Sequence, residues 1–140
     1  MAGKVYAVID TNVLVSALIS KKLDSSPIVV LASVYEGTIV PVFNDEILAE
    51  YREVLSRNGK FHIGQDLIDT ALHVFEEYGL ALDRTKVDDE DFPDPKDTVF
   101  YEVKMSKDDA YLVTGNIKHF PKKPFVVTPK EMVEILLSLE

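Results

Sequence analysis

The feature that most constrains the fold of this chain is a repeated alternation of short apolar runs with helical patterns. The first run, Val5–Ile9, is rich in β-branched residues and has no helical periodicity, as in a strand buried on both faces of a parallel sheet. Asp10 ends this run, and apolar residues recur from Val13 onward at helical spacing. Thr11 or Asn12 is the expected cap of that helix.

The same alternation continues to the C-terminus. Gly37 and Gly79 stand where helices are expected to end, and Ser26, Asn44 and Thr128 stand where helix caps are expected. The pattern predicts helices over residues 26–35, 45–55, 67–78, 97–107 and from 129 onward, and strands over 38–43, 80–82, 111–114 and 125–127. Strands joined by helices form right-handed βαβ units, so we expect a three-layer α/β/α sandwich with a central, mainly parallel sheet of about five strands.

Composition indicates one domain and limits its chemistry. The 140 residues contain no linker-like segment, so a single domain over 1–140 is expected. The absence of cysteine excludes disulfides, thiolate zinc sites and cysteine nucleophiles. With no apolar stretch near the roughly 20 residues of a membrane span and no signal peptide, we expect a cytoplasmic protein without a membrane partner. The net charge of −9 argues against binding nucleic acid through bulk electrostatics alone.

Acidic and polar residues follow the predicted strands at places that such a fold can bring together. Asp10 ends the first strand, and residues 114–116 follow the strand that starts near residue 111. Asp94 and Asp97 precede the helix leading into that strand, and Glu50 projects from the middle of a helix. Ligands of open parallel sheets bind beyond the carboxyl ends of the strands. Crowded carboxylates repel each other unless a cation compensates, so the sequence predicts a pocket for Mg²⁺ or Mn²⁺, ions that activate water for phosphodiester hydrolysis.

Each of these residues also has a purely structural interpretation. Asp10 is able to cap the helix that follows it, and Glu50 to lie on a solvent-exposed helix surface. Asp94 stands between prolines, where turns form, and Asp97 suits the N-terminus of a helix. Asn116 after a glycine is typical of a turn. No single residue therefore decides between a site and a scaffold.

Three blocks of the chain, in their order and spacing, resemble the PIN-domain (PilT N-terminus) family, and within it the toxin components of toxin–antitoxin systems. The blocks are VYAVIDTNVLVSAL, VPVFNDEILAEYREVL and DPKDTVFYEVKMSKDDAYLVTGNIKHF. The resemblance implies a sandwich with a parallel sheet and a ribonuclease that cuts RNA with Mg²⁺ or Mn²⁺. It also implies an antitoxin protein as a partner.

Residue by residue, the resemblance implies catalytic and metal-binding roles for Asp10, Glu50 and Asp97, with Asp94 as an auxiliary ligand. Three further positions match polar residues that line the family's pocket: Thr11, Asn12 and Thr114. The family's fourth acidic position is Asn116 here, which keeps a carbonyl oxygen for a metal but lacks the charge. We therefore expect an active one-metal centre, and the alternative is a catalytically impaired PIN-fold protein that serves as a protein-binding module.

Contact with RNA in an acidic chain has to come from local cations. Arg52, Lys118 and His119 are the predicted substrate-binding residues, because they follow Glu50 and Asn116 in the sequence. Other cations lie beside them: Arg57, Lys60, Lys122 and Lys123. An ordinary solvated surface is the alternative interpretation of both groups.

Two other enzyme or signalling classes carry acids after the first strand. A HAD-type phosphohydrolase needs a second aspartate where this chain has Asn12, and a receiver-like domain needs adjacent acids where it has Thr11. A protein-docking surface is the non-enzymatic alternative, and a homodimer is expected because two-fold symmetry is the commonest form of assembly. Apolar and aromatic residues are candidates for such a surface: Leu18, Ile19, Tyr51, Phe61 and Phe75.

Overall fold

The computed structural model describes residues 3–57, 62–88 and 90–139 as alternating strands and helices. The elements in chain order are β1 Val5–Ile9, α1 Thr11–Ile19, α2 Ser26–Glu36, β2 Ile39–Phe43, α3 Asp45–Leu55, α4 Gln65–Tyr78, β3 Leu80–Ala81, α5 Thr98–Lys104, β4 Tyr111–Val113, β5 Val126–Val127 and α6 Pro129–Ser138. Short 3₁₀ turns at Pro95–Asp97 and Ile117–His119 precede α5 and follow β4.

The five strands form one parallel sheet in the order β3-β2-β1-β4-β5. The chain moves outward from β1 to β2 and β3, and then returns to the other side of β1 for β4, so the strand order reverses between β1 and β4. Ile9 is paired with Val113 across these two strands, and Asp10 and Thr114 therefore leave the sheet side by side. The predicted α/β class and parallel sheet are confirmed, and the reversal is where such sheets bind ligands.

The core surrounds the central strands. Ala7 and Val8 of β1 are 0 % exposed, as expected of a strand covered on both faces. Helix α2 contacts α1 and α6, and helix α3 contacts α4 and α5, and with the sheet these helices form the three-layer α/β/α arrangement. Among the described residues, no helix has the length and apolar character needed to cross a membrane.

An aromatic cluster joins α3, α4 and α5. The ring of Tyr51 meets that of Phe75 edge to face with centroids 5.5 Å apart, and Phe100 lies 6.3 Å from Tyr51. Tyr51 and Phe75 are fully buried, so the interpretation of these two side chains as part of a docking surface is wrong. Ile19 is partly exposed, and Phe61 lies outside the described residues.

Several predicted element ends are shifted. The cap position of α1 is Asp10 and not Thr11 or Asn12, and that of α2 is Ser25 and not Ser26. Helix α5 ends at Lys104, three residues before the predicted end. The buried ammonium group of Lys104 donates to the carbonyl oxygens of Lys107 and Asp108 at 3.1 and 3.2 Å, which holds the chain in a turn where the helix would otherwise continue.

Candidate metal centre

A cleft of about 480 Å³ opens where β1 and β4 end. Four carboxylates line it, and they come from the end of β1, the middle of α3 and the turn before α5: Asp10, Glu50, Asp94 and Asp97. Asn116 and His119 line the side that follows β4. The structure thus brings together all five residues predicted to hold a metal, although they lie far apart in the sequence.

Asp10 directs its carboxylate toward the end of the neighbouring strand β4. Its side chain forms no capping hydrogen bond with α1, which is the contact that the structural interpretation of this residue requires. Instead its Oδ2 accepts a hydrogen bond of 2.7 Å from the hydroxyl of Thr114. Burial raises the pKa of Asp10, and the nearby Glu50 carboxylate adds to that rise, whereas the Thr114 hydrogen bond opposes it.

Thr114 lies beneath the cleft and does not line it, which corrects its predicted place in the pocket. It is 0 % exposed, and its hydroxyl accepts a hydrogen bond of 3.0 Å from the N–H of Asn116 while donating to Asp10. Asn12 makes a parallel link, because its Oδ1 accepts a hydrogen bond of 3.4 Å from the N–H of Gly115. These contacts hold the start of α1 against the segment that follows β4.

Glu50 is half-buried in the cleft, and so differs from an ordinary residue on a solvent-exposed helix face. The hydroxyl of Thr11 donates a hydrogen bond of 3.3 Å to its Oε2. Thr11 is itself buried and lines the cleft, as predicted for a polar pocket residue. The contact joins α3 to the start of α1 and holds Glu50 on the side of the cleft where Asp10 lies.

Asp97 is the least satisfied of the four acids. Its side chain is 15 % exposed, and its buried Oδ2 has no hydrogen-bond partner within the described residues. The Nδ1 of His119 is 3.5 Å from that oxygen. Burial, followed by repulsion from the carboxylates of Asp10 and Asp94, raises the pKa of Asp97 from 3.8 to about 6.

Asp94 makes the contact of a turn residue and also lines the cleft. Its side chain accepts a hydrogen bond of 2.9 Å from the N–H of Lys96, which is the turn contact expected of an aspartate between prolines. The residue also lines the cleft beside Asp97. It is exposed to solvent, unlike the buried Asp10.

The donor set suits a hard divalent cation. Within the described residues, no group of three or more His, Asp or Glu side chains is gathered closely enough to form a complete metal site. Mg²⁺, however, is usually held by only one or two carboxylates together with water and substrate phosphate. The cleft offers oxygen donors of that kind, and the unpartnered Oδ2 of Asp97 is a buried acceptor that a cation would satisfy. The residues present therefore fit such an ion.

Tyr51 contacts the backbone next to the cleft, a contact that the sequence did not indicate. Its hydroxyl donates a hydrogen bond to the carbonyl oxygen of Ile9, the residue before Asp10. Complete burial, with the carboxylates of Asp10 and Glu50 nearby, raises its pKa well above 10.0. The one signal in the sequence was a hydroxyl-bearing residue within the apolar stripe of α3. Tyr51 supports the end of β1 from below and so positions Asp10.

The predicted cations are divided between several places. Arg52 does not line the cleft, and its guanidinium lies 3.6 Å from Asp69 on α4. Arg57 pairs with Glu53 in the same way along α3, at 3.8 Å. His119 reaches the cleft. The other predicted cations on that side line an adjoining pocket: Lys118, Lys122 and Lys123. Lys60 lies outside the described residues.

Comparison with known proteins identifies the family of this fold and cleft. A family model described as PIN domain matches residues 6–118, a span that contains every acid of the cleft. Among curated proteins and solved structures, none matches the chain. The family match covers most of the chain and includes both strands that bound the cleft.

Proposed function

Because the chain belongs to the PIN-domain family, whose members are generally nucleases that use divalent metals, we propose that it is an endoribonuclease dependent on Mg²⁺ or Mn²⁺. Asp10, Glu50 and Asp97 would hold the ion, with Asp94 and the carbonyl oxygen of Asn116 as further ligands. Since Asn116 carries no charge, we propose a centre with one metal ion.

The observation that carries this proposal is the crowding of carboxylates in a single cleft at the strand-order reversal. Four acids line the cleft, and burial and mutual repulsion raise the pKa of both Asp10 and Asp97. Such an arrangement disfavours the ionised groups unless a cation compensates. Its position beyond β1 and β4 is where open parallel sheets bind ligands.

The remaining side chains hold the acids in place. Thr114 fixes one oxygen of Asp10, Tyr51 holds the backbone just before it, and Thr11 fixes one oxygen of Glu50. When bound, a divalent ion lowers the pKa of a coordinated water and neutralises charge on the scissile phosphate. His119 also lines the cleft, and we propose that it contacts that phosphate.

Cleavage assays with matched substrates test this function. We expect purified protein to cleave a single-stranded RNA internally in the presence of Mn²⁺ or Mg²⁺ and to stop when EDTA is added. A DNA strand of the same sequence should be cleaved much more slowly. Cleavage of RNA that persists in EDTA, or equal cleavage of DNA, would contradict the proposal.

A HAD-type phosphohydrolase is disfavoured by the contacts of Asn12. The position where that class needs an acid holds an amide whose oxygen is engaged by the N–H of Gly115. Release of phosphate from small monoesters without RNA cleavage would restore that alternative. A catalytically impaired protein-binding module is the second candidate, and the observation that favours it is the uncharged Asn116 in the cleft.

We also propose a toxin role with an antitoxin protein as partner, and a homodimer. The first rests on the resemblance of the sequence blocks, and the second on the prevalence of two-fold assemblies. Light scattering of the purified chain measures its mass in solution, and a mass equal to one chain would exclude the dimer.

The toxin role is tested by expression in cells. Expression of the chain alone should arrest growth, whereas expression of the Asp10→Asn variant should not.

A further inference from the structure

A second pocket, of about 370 Å³, adjoins the acidic cleft and has the opposite charge. Its lining combines apolar side chains with three lysines: Ile117, Phe120, Pro121, Val126, Lys118, Lys122 and Lys123. No carboxylate is among these lining residues, although the chain has 24 acidic and only 15 basic residues. Such a segregation of charge indicates a place where an anionic ligand is attracted.

Two of the lysines are free to meet an anion. Lys118 and Lys122 are exposed, and neither forms an ion pair with any carboxylate in the part of the chain that the structure describes. Lys123 differs, because its ammonium lies 3.2 Å from the carboxylate of Glu90. The pocket thus has two unengaged ammonium groups beside an apolar floor.

The 3₁₀ turn Ile117–His119 is the wall between the two pockets. Asn116 and His119 line the acidic cleft, whereas Ile117 and Lys118 line the basic pocket. Ile117 is 45 % exposed, so a large apolar side chain borders the basic pocket with much of its surface in water. A single ligand with an apolar part next to anionic groups would be able to contact Ile117 and to reach into both pockets.

We propose that the basic pocket binds an unpaired nucleotide next to the scissile bond, with its base on Ile117 and its flanking phosphate at Lys118 and Lys122. This inference rests on the proposed function, because that function places the scissile phosphate at the acidic cleft. The face of a base is apolar and packs favourably against an apolar side chain, and its phosphate is stabilised by a cation. Bases stacked inside a duplex cannot enter such a pocket, so the substrate class is single-stranded RNA or an unpaired loop.

Binding without cleavage tests the phosphate contacts. The probe is a fluorescent single-stranded oligouridylate in EDTA, titrated with the wild type, with Lys118→Ala/Lys122→Ala, and with the control Lys4→Ala/Lys130→Ala, which removes the same charge from exposed sites outside the pocket. We expect the first variant to bind about 10-fold more weakly, with the slope of log affinity against log salt reduced by about 0.7, because one phosphate contact is lost. Equal weakening by the control pair would overturn the proposal, since it would show an effect of net charge alone.

An abasic chain of the same length tests the base contact. The wild type should bind oligouridylate several-fold more tightly than the abasic ribose-phosphate chain, and Ile117→Ser should bind the two alike. Circular dichroism of this variant checks its fold. No preference of the wild type for the chain that carries bases would overturn the base-binding role.

Kinetics separate this inference from the proposed function. The double lysine variant should raise KM for RNA several-fold, whereas the control Lys4→Ala/Lys130→Ala should leave both KM for RNA and hydrolysis of the small diester bis-p-nitrophenyl phosphate unchanged. An unaltered KM of the double lysine variant for RNA would overturn the proposed role of the basic pocket. Failure of the wild type to cleave RNA would instead contradict the nuclease assignment, and the binding comparisons in EDTA would still decide the pocket.

Discussion

Asp97 occupies a position where burial and neighbouring acids disfavour the ionised carboxylate. One of its oxygens is buried without a hydrogen-bond partner, and its pKa is raised to about 6 by burial and by the neighbouring acids. Because this value lies above the ordinary 3.8, the folded protein binds more protons than the unfolded chain between these pH values. The contribution of Asp97 to stability therefore falls as the pH rises through this window, and the metal-free protein is destabilised by it at neutral pH.

Asp97→Asn should remove this pH dependence. In EDTA at pH 7.5 we expect the variant to be more stable than the wild type by on the order of 1 kcal/mol, a value discounted for the openness of the cleft, with the difference shrinking towards pH 4. Urea unfolding at both pH values measures it, with Asp24→Asn in an exposed loop as the control. Parallel pH profiles for the wild type and Asp97→Asn would contradict the electrostatic account.

Tyr51→Phe tests the support of Asp10 from below. The change removes one hydroxyl that donates to the carbonyl oxygen of Ile9, so the unfolding free energy should fall by about 1 kcal/mol. Calorimetric titration with Mn²⁺ should also show weaker binding, because Asp10 loses part of its support. Tyr78→Phe, at a side chain that is 69 % exposed, is the matched control and should change neither quantity. Unchanged Mn²⁺ affinity in Tyr51→Phe would leave Tyr51 with a structural role only.

Sequence patterns identified the acids but not the contacts that orient them. Asp10 follows a predictable strand and Asp97 begins a predictable helix, whereas Glu50, in the middle of a predictable helix, was assigned through the resemblance of its sequence block. The bond between Thr114 and Asp10 spans 104 positions, and the one between Tyr51 and Ile9 spans 42. No local pattern encodes such pairs, because they depend on which strands become neighbours.

At the scale of elements, Gly79 shows how tightly α4 packs against the sheet. A side-chain carbon at this residue would clash with the carbonyl oxygens of Phe75 and Pro41. Its backbone φ of −89° is open to any residue, so space and not conformation requires glycine. The sequence predicted a helix end here, and the structure adds that β2 lies directly against it.

Three glycine-to-alanine substitutions distinguish the cost of steric overlap from the cost of a strained backbone conformation. Gly79→Ala should lower the unfolding free energy by roughly 2–3 kcal/mol through overpacking. Gly37→Ala, at φ 87° with open space around it, should cost about 1 kcal/mol through left-handed strain alone. Gly64→Ala faces open space at an ordinary φ and should have little effect. Urea unfolding ranks the three variants by their unfolding free energy. A Gly79→Ala protein as stable as Gly64→Ala would contradict the close approach of Gly79 to the carbonyl oxygens of Phe75 and Pro41.

The ends of the elements were less predictable than their existence. Amphipathic spacing and cap residues predicted the six helices found within the described residues, but α5 ends early because the buried Lys104 ammonium binds carbonyl groups beyond it. The 3₁₀ turn Ile117–His119 was not predicted, since Gly115 and Asn116 indicate only a turn. That turn contributes residues to both the acidic cleft and the basic pocket.

At the scale of the whole molecule, the order of strands determines where the charges meet. The alternation in the sequence predicts parallel strands but not the order β3-β2-β1-β4-β5. That order sets β4 beside β1, which brings Asn116 and His119 to the cleft that Asp10 begins. The net charge of −9 conceals this arrangement, in which an acidic cleft and a carboxylate-free basic pocket lie on either side of one turn.

The most direct test of the account is the rate of Mn²⁺-dependent RNA cleavage by Asp10→Asn and Glu50→Gln beside the control Glu53→Gln. Glu53 lies on the same helix as Glu50 but outside the cleft. Since changes to residues that merely orient metal ligands cost about 10–100-fold, we expect each of the first two variants to lose at least about 100-fold in rate and the control to retain full activity. RNA cleavage by Asp10→Asn at the wild-type rate would show that the chemistry does not take place at this cleft.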